Sequence, residues 1–198
     1  MDLITKTQDH VTAIFKKKLP AGMAFHHIGH TRTVVAGIRM LTAGVFLNEW
    51  ERHAVLIAGW FHDTGYCYTY EGHEAISMTL AGDFLRAEGR SENFIKLVYD
   101  CIRATQMPQT PQTLLQMIIC DADMLHLSRP DYLEKAAMLR LEWEFICKRT
   151  YTDDAWTQLN YDHLMSHQYF TDMGKLEWSA GKERNLRLLE RQLPEQDL

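Results

Sequence analysis

The chain has 198 residues, 46% of them hydrophobic and 24% charged, with a formal net charge of −5. That length suits one domain with a sizeable apolar core, and the acidic balance excludes nonspecific nucleic-acid binding, which needs a basic footprint. Cys67, Cys101, Cys120 and Cys147 have no Cys-x-x-Cys or zinc-finger spacing and read as free thiols of a reducing cytoplasm, while no apolar run approaches the roughly 20 residues of a membrane helix.

The first residues, Met1 to Lys6, lack the basic and apolar segments of a signal peptide, so a cytoplasmic location with no membrane partner is expected. Arg39 interrupts the longest apolar candidate, Val34 to Leu47. Residues 2–18 read as an amphipathic helix, with Ile4, Val11, Ile14 and Phe15 at helical spacing and Lys16, Lys17 and Lys18 in its last turn. Leu19-Pro20-Ala21-Gly22 stops it, so residues 1–24 form a helix packing on a domain that spans 25–198.

Phe25-His26-His27-Ile28-Gly29-His30 follows, with three histidines in five positions. A helix from His30 to about Leu47 is expected to bury Val34, Val35, Ile38, Leu41, Val45 and Phe46. The next, about Glu49 to Asp63, has almost no polar face and should be central to the core. It ends in His62-Asp63, two ionisable groups that need partners if buried.

Gly65 to Gly72 reads as a loop holding Tyr66, Tyr68 and Tyr70. A helix from Gly72 to about Ala87 comes next, closed by Gly89. Ser91 caps another that reaches about Thr105, and Met107-Pro108-Gln109-Thr110-Pro111 breaks the chain. An apolar helix from Gln112 leads into Cys120-Asp121-Ala122-Asp123-Met124-Leu125-His126. Two carboxylates two positions apart at such an end are expensive unless they bind or cap something. Pro130 opens a helix over about 131–148, Thr152 caps one to about Phe170, and a charged helix spans about 173–193. No segment alternates like a strand. The fold class is all-α, a single bundle of about nine helices.

The polar residues at the apolar helix ends are His26, His30, His62, Asp63, Asp121 and Asp123. Imidazole and carboxylate groups in this mixture suit a hard-to-borderline divalent ion, and water on such an ion becomes a nucleophile near neutral pH. His26 and His30 are four apart and share a face if helical.

The pattern His30, His62-Asp63, Asp123 resembles the HD superfamily of metal-dependent phosphohydrolases, an all-α family whose His, His-Asp and Asp motif residues hold the metal. The resemblance implies His30, His62, Asp63 and Asp123 as ligands of one divalent ion (Mn, Mg, Fe, Co, Ni or Zn), with Asp63 also in the chemistry. Ala122-Asp123-Met124-Leu125 resembles the family's Ala-Asp-x-Leu segment, which favours Asp123 as the ligand and leaves Asp121 to orient one. The stretch from Phe25 to His30 also resembles the Tyr-His-Asn-x-x-His segment of cyclic-nucleotide phosphodiesterases, where the first histidine protonates the leaving oxygen. That role falls to His26, and His27 stands where the branch has asparagine. Phe61 to Tyr66, Gly72-His73-Glu74, Ala104-Thr105-x-x-Pro108 and His167-x-Tyr169-Phe170-Thr171 resemble HD-domain proteins grouped with Pycsar effectors.

Tyr66 stands where many HD enzymes carry Lys or Glu and cannot supply either charge. His73 and Glu74 are the nearest candidates for a second metal, though a His-Glu pair is also ordinary first-turn helix chemistry. Tyr66, Arg129, His167 and Lys182 are candidates for substrate binding, with Arg129, Lys182 and Arg184 placed to meet a phosphate, against a plain solvated or packing role. The expected activity is hydrolysis of a small-molecule phosphate mono- or diester, of a nucleotide, by metal-activated water. The alternative is a nucleotide-sensing HD module with little turnover.

Overall fold

The computed structural model describes residues 2–193; Met1 and the last five residues of the expected domain lie outside the described residues. Nine α-helices occur in this range, with no strand among the described residues. They are α1 (Leu3–Lys18), α2 (Ile28–Thr42), α3 (Glu49–Phe61), α4 (His73–Ala87), α5 (Glu92–Ala104), α6 (Leu114–Asp123), α7 (Tyr132–Ile146), α8 (Asp153–Ser166) and α9 (Asp172–Glu190). Short 3-10 turns at Thr64–Cys67 and Met124–Ser128 follow α3 and α6. No helix is long and apolar enough to cross a membrane among the described residues.

Helix starts follow their caps. Asp2, Asn48, Ser91, Thr113, Thr152 and Thr171 each accept a backbone N–H of the first turn, satisfying groups that the helix leaves unpaired. Asn48 and Thr113 form full capping boxes with Glu51 and Gln116.

The core is a layer of α2, α3 and α6, with α5 packed on α3 and α4, and α1 laid on α3. Ile38, Ile57, Phe61, Ile95, Ile118 and Ile119 are fully buried there, each stabilising the fold by about 1.5–3 kcal/mol on transfer from water. The expectation that α3 is central holds: every residue from Ala54 to Phe61 is buried.

Three boundaries differ from expectation. Helix α2 begins earlier, because His27 rather than Thr or Ser caps it, and stops at Thr42. The Asn48 capping box fixes the next start, so Val45 and Phe46 fall in the connection, and Phe46 is 95% exposed instead of buried. Helix α8 stops at Ser166, before His167. Part of the Gly65 to Gly72 loop is a buried 3-10 turn.

Candidate metal centre

The helices bring four side chains from three elements to one point. His30 comes from the first turn of α2, His62 from the C-terminus of α3 with Asp63 next to it, and Asp123 from the end of α6. His30 Nε2 lies 3.1 Å from Asp123 Oδ1 and 3.4 Å from Asp63 Oδ2. His62 Nε2 lies 3.1 Å from Asp63 Oδ2 and 3.5 Å from Asp123 Oδ1. Donor atoms of His30, His62 and Asp123 all fall within 4.8 Å of one another.

Local chemistry turns these atoms inward. The Nδ1–H of His62 donates to the Gly59 carbonyl at 2.9 Å, which leaves Nε2 as the nitrogen facing the cluster. Helix α3 ends cleanly because the Thr64 hydroxyl donates to the Phe61 carbonyl at 2.7 Å. Gly65 then passes so close to α4 that a Cβ there would sit 1.9 Å from the His73 carbonyl oxygen. This close approach holds Asp63 beside the start of α4.

Two of the inward atoms are orphans. His62 Nε2 and Asp63 Oδ2 are buried and, despite their proximity, make no hydrogen bond. A buried imidazole nitrogen and a buried carboxylate oxygen would be costly to keep without a partner. Two imidazole nitrogens with two carboxylate oxygens are the donor set of a borderline divalent ion, so the residues present fit a metal. Burial works against charge on His62, but the Asp63 and Asp123 carboxylates outweigh it and raise its pKa well above the ordinary value. Burial likewise opposes charge on Asp63 and Asp123, and the adjacent imidazoles hold both below the usual carboxylate range.

Residues 27–128, just over half of the chain, match the family model of the HD domain. The chain belongs to the HD-domain family. No curated protein and no solved structure matches it. HD-domain proteins are in general divalent-metal-dependent hydrolases of phosphate esters.

Around the HD cluster, Tyr66 is sandwiched between two imidazoles, with ring centroids 4.2 Å from His26 and 3.7 Å from His73. Burial and the charge of Asp63 push its hydroxyl far above the ordinary phenol value, so Tyr66 is a neutral spacer. His73 Nε2 stands 3.6 Å from both Asp63 Oδ1 and Glu74 Oε1, which brings His73 and Glu74 to the edge of the cluster.

Other candidates go elsewhere. Asp121 does not orient a ligand: its oxygens accept the backbone N–H of Phe170 and of Thr171, at 2.7 and 2.8 Å, and the Thr171 hydroxyl. It ties α6 to the cap of α9, and Gly174 leaves room for it, since a Cβ there would be 2.5 Å from Asp121 Oδ2. The His27 ring accepts the Gly29 N–H at 2.8 Å and serves as a helix cap. Arg129 is exposed and pairs with Asp131. Lys182 donates to the His167 carbonyl, and His167, its pKa pushed down to about 4 by burial and by Lys182, packs edge-on to Tyr169. Arg129, Lys182 and His167 stand apart from the cavity over the cluster.

The residues that reading the sequence missed lie on α7, in the proline loop and in the 3-10 turn after α6. Glu142 is fully buried; it accepts the N–H of Phe25 and of His26, the Tyr70 hydroxyl at 3.0 Å and a short bond from His26 Nδ1. Burial works against a charged His26, and the Glu142 bond with the charges of Asp63, Glu142 and Asp123 outweighs it, so the His26 pKa is raised. Gln109 Nε2 donates to Asp123 Oδ2 at 3.3 Å, and the His126 Nδ1–H donates to the Asp123 carbonyl at 3.0 Å. One signal for Glu142 was visible: it shares a helical face with Leu139 and Ile146.

Proposed function

We propose that this HD domain hydrolyses a phosphate mono- or diester, with a nucleotide as the substrate class, and that His30, His62, Asp63 and Asp123 hold one divalent ion. The observation that carries this reading is the pair of orphaned, buried donor atoms on His62 and Asp63, three ångströms apart and pointed at His30 and Asp123. A divalent ion held by these residues would supply polarisation of a phosphoryl oxygen and acidification of water near neutral pH.

The chain's own groups divide the remaining work. Glu142 occupies Nδ1 of His26 and favours the protonated ring, so Nε2 is the nitrogen that passes a proton to the leaving oxygen. Asp63, held ionised, accepts a hydrogen bond from the attacking water and orients it. Gln109 and His126 fix Asp123 from two sides, as groups behind ligands do in metal sites. The nucleotide reading draws on the aromatic rings of Tyr70 and Trp143 on the cavity wall. A cytoplasmic setting accords with the four free cysteines.

The neutral Tyr66, where a charged residue would assist phosphate chemistry, favours a second reading: a nucleotide sensor with little turnover. Calorimetry with a nucleotide panel, run beside phosphate release, separates the two. Turnover with Mn, Mg, Co or Ni supports the hydrolase; tight binding without product supports the sensor. Metal content by elemental analysis tests both, since protein without stoichiometric metal would defeat the proposed centre.

A further inference from the structure

A cavity of about 970 Å³ opens beside the cluster, and helix α7 forms much of its wall. Tyr132, Ala136, Leu139, Trp143 and Ile146 all line it. They fall at i, i+4, i+7, i+11 and i+14, the spacing of one helical face. Such a stripe normally meets another helix. Here Leu139, Trp143 and Ile146 are only half-buried and face open space.

The polar groups along this wall are already used. The Tyr132 hydroxyl donates to Asn160 Oδ1 at 2.7 Å, and Asn160 Nδ2 donates to the Trp156 carbonyl at 2.8 Å. The Tyr70 hydroxyl is held by Glu142. What this wall offers the ligand is apolar and aromatic surface, while the polar lining residues Thr69, Glu71, Gln106, Arg149 and His163 lie outside α7.

Lys135 lines the same cavity and is half-buried. Of the half-buried cations among the described residues, Lys6 pairs with Glu88, Arg140 with Glu144 and Asp153, Arg52 donates to the Thr42 carbonyl and Lys182 to the His167 carbonyl. Lys135 meets only the Met138 sulfur, at 4.0 Å. A partly desolvated ammonium without an oxygen partner is suited to an anion.

We propose that α7 is the specificity surface of the HD site: its apolar stripe receives the aromatic group of the ester, and Lys135 receives an anionic oxygen of the same molecule. This rests on the hydrolase reading and narrows it. The preferred ester is aromatic and anionic, and a nucleobase is held by stacking and shape rather than by its hydrogen-bonding edge.

The test uses the full metal-loaded chain and two readouts. In turnover, 1-naphthyl phosphate and the four nucleoside monophosphates should exceed ribose 5-phosphate and glycerol 2-phosphate in kcat/KM by about tenfold or more, with the four bases within about threefold of one another. Lys135→Met, which keeps the aliphatic stem, should raise KM about tenfold and move kcat little. In binding, tryptophan fluorescence should report 1-naphthylphosphonate with and without metal, and Ile146→Asp should weaken it. Equal turnover of aromatic and sugar phosphates, or an unchanged KM in Lys135→Met, overturns the α7 proposal and leaves the hydrolase standing. Phosphonate binding that is lost in Ile146→Asp, with no ester cleaved, supports the α7 surface and overturns the hydrolase. Neither binding nor turnover overturns both.

Discussion

Helices α3 and α7 both end at the cavity, yet they are built by opposite rules. Helix α3 is buried along its whole second half and delivers His62 and Asp63 from inside the core. Helix α7 keeps only Tyr132, Ala136 and Glu142 buried and turns the rest of its inner face to open space. On the proposed reading, the difference separates two tasks. Metal-ligand geometry tolerates little error, so its donors sit on close-packed helices that cannot shift easily. A surface for a variable organic group needs area and shape, and an unfilled helix face supplies both.

The comparison can be broken first at the α3 end. His62→Ala or Asp63→Ala should abolish metal loading and turnover together, read by elemental analysis and phosphate release, with circular dichroism as the folding control. Metal content near that of the unmodified chain would show that the cluster is not the binding site. His26→Ala should lower kcat by roughly 10²- to 10⁴-fold, the range for a lost general acid, while metal content is retained.

Asp121→Ala sharpens the contrast from another side. It removes three hydrogen bonds to a buried carboxylate and strands two backbone N–H groups near α9. A loss of about 3 kcal/mol in unfolding free energy is expected, with metal stoichiometry unchanged in the folded fraction. Reduced metal affinity at full stability would instead restore Asp121 to a role beside the ligands.

The His26–Glu142 pair joins the two helices' tasks and should leave a pH signature. His26 is raised above the ordinary 6.5, so the stability it contributes is complete below that value and is lost as pH rises through the raised pKa. Glu142 is lowered from the ordinary 4.5, so its contribution is present above 4.5 and lost as pH falls through the lowered pKa. The melting-temperature difference between the unmodified chain and Glu142→Gln should therefore be largest between about pH 4.5 and 6.5 and shrink on both sides. A difference that does not shrink below pH 4.5 and above the raised His26 value would mean that the pair is not ionised. The smallest effect belongs to Phe46, 95% exposed in its connection: Phe46→Ser should change stability by less than about 0.5 kcal/mol in a denaturant titration.

The amino-acid sequence by itself determined the helices and most of their starts, because apolar spacing and capping side chains act within a few residues. It also marked His30, His62, Asp63 and Asp123 as polar groups at apolar helix ends, since the burial such ends imply makes an ionisable side chain conspicuous. It misplaced Phe46, because the period of α2 continues in the residues past the point where the Asn48 cap takes over. Only the tertiary structure decided which of Asp121 and Asp123 faces the cluster: residues two apart on a helix point in different directions, and which direction meets α9 depends on packing. It also decided the partners of Glu142 and Lys135. Glu142 meets His26 across 116 positions of sequence, and Lys135 is left without an oxygen partner by the placement of whole helices. Local propensity carries no information about contacts at that range, because they exist only once the chain has closed on itself.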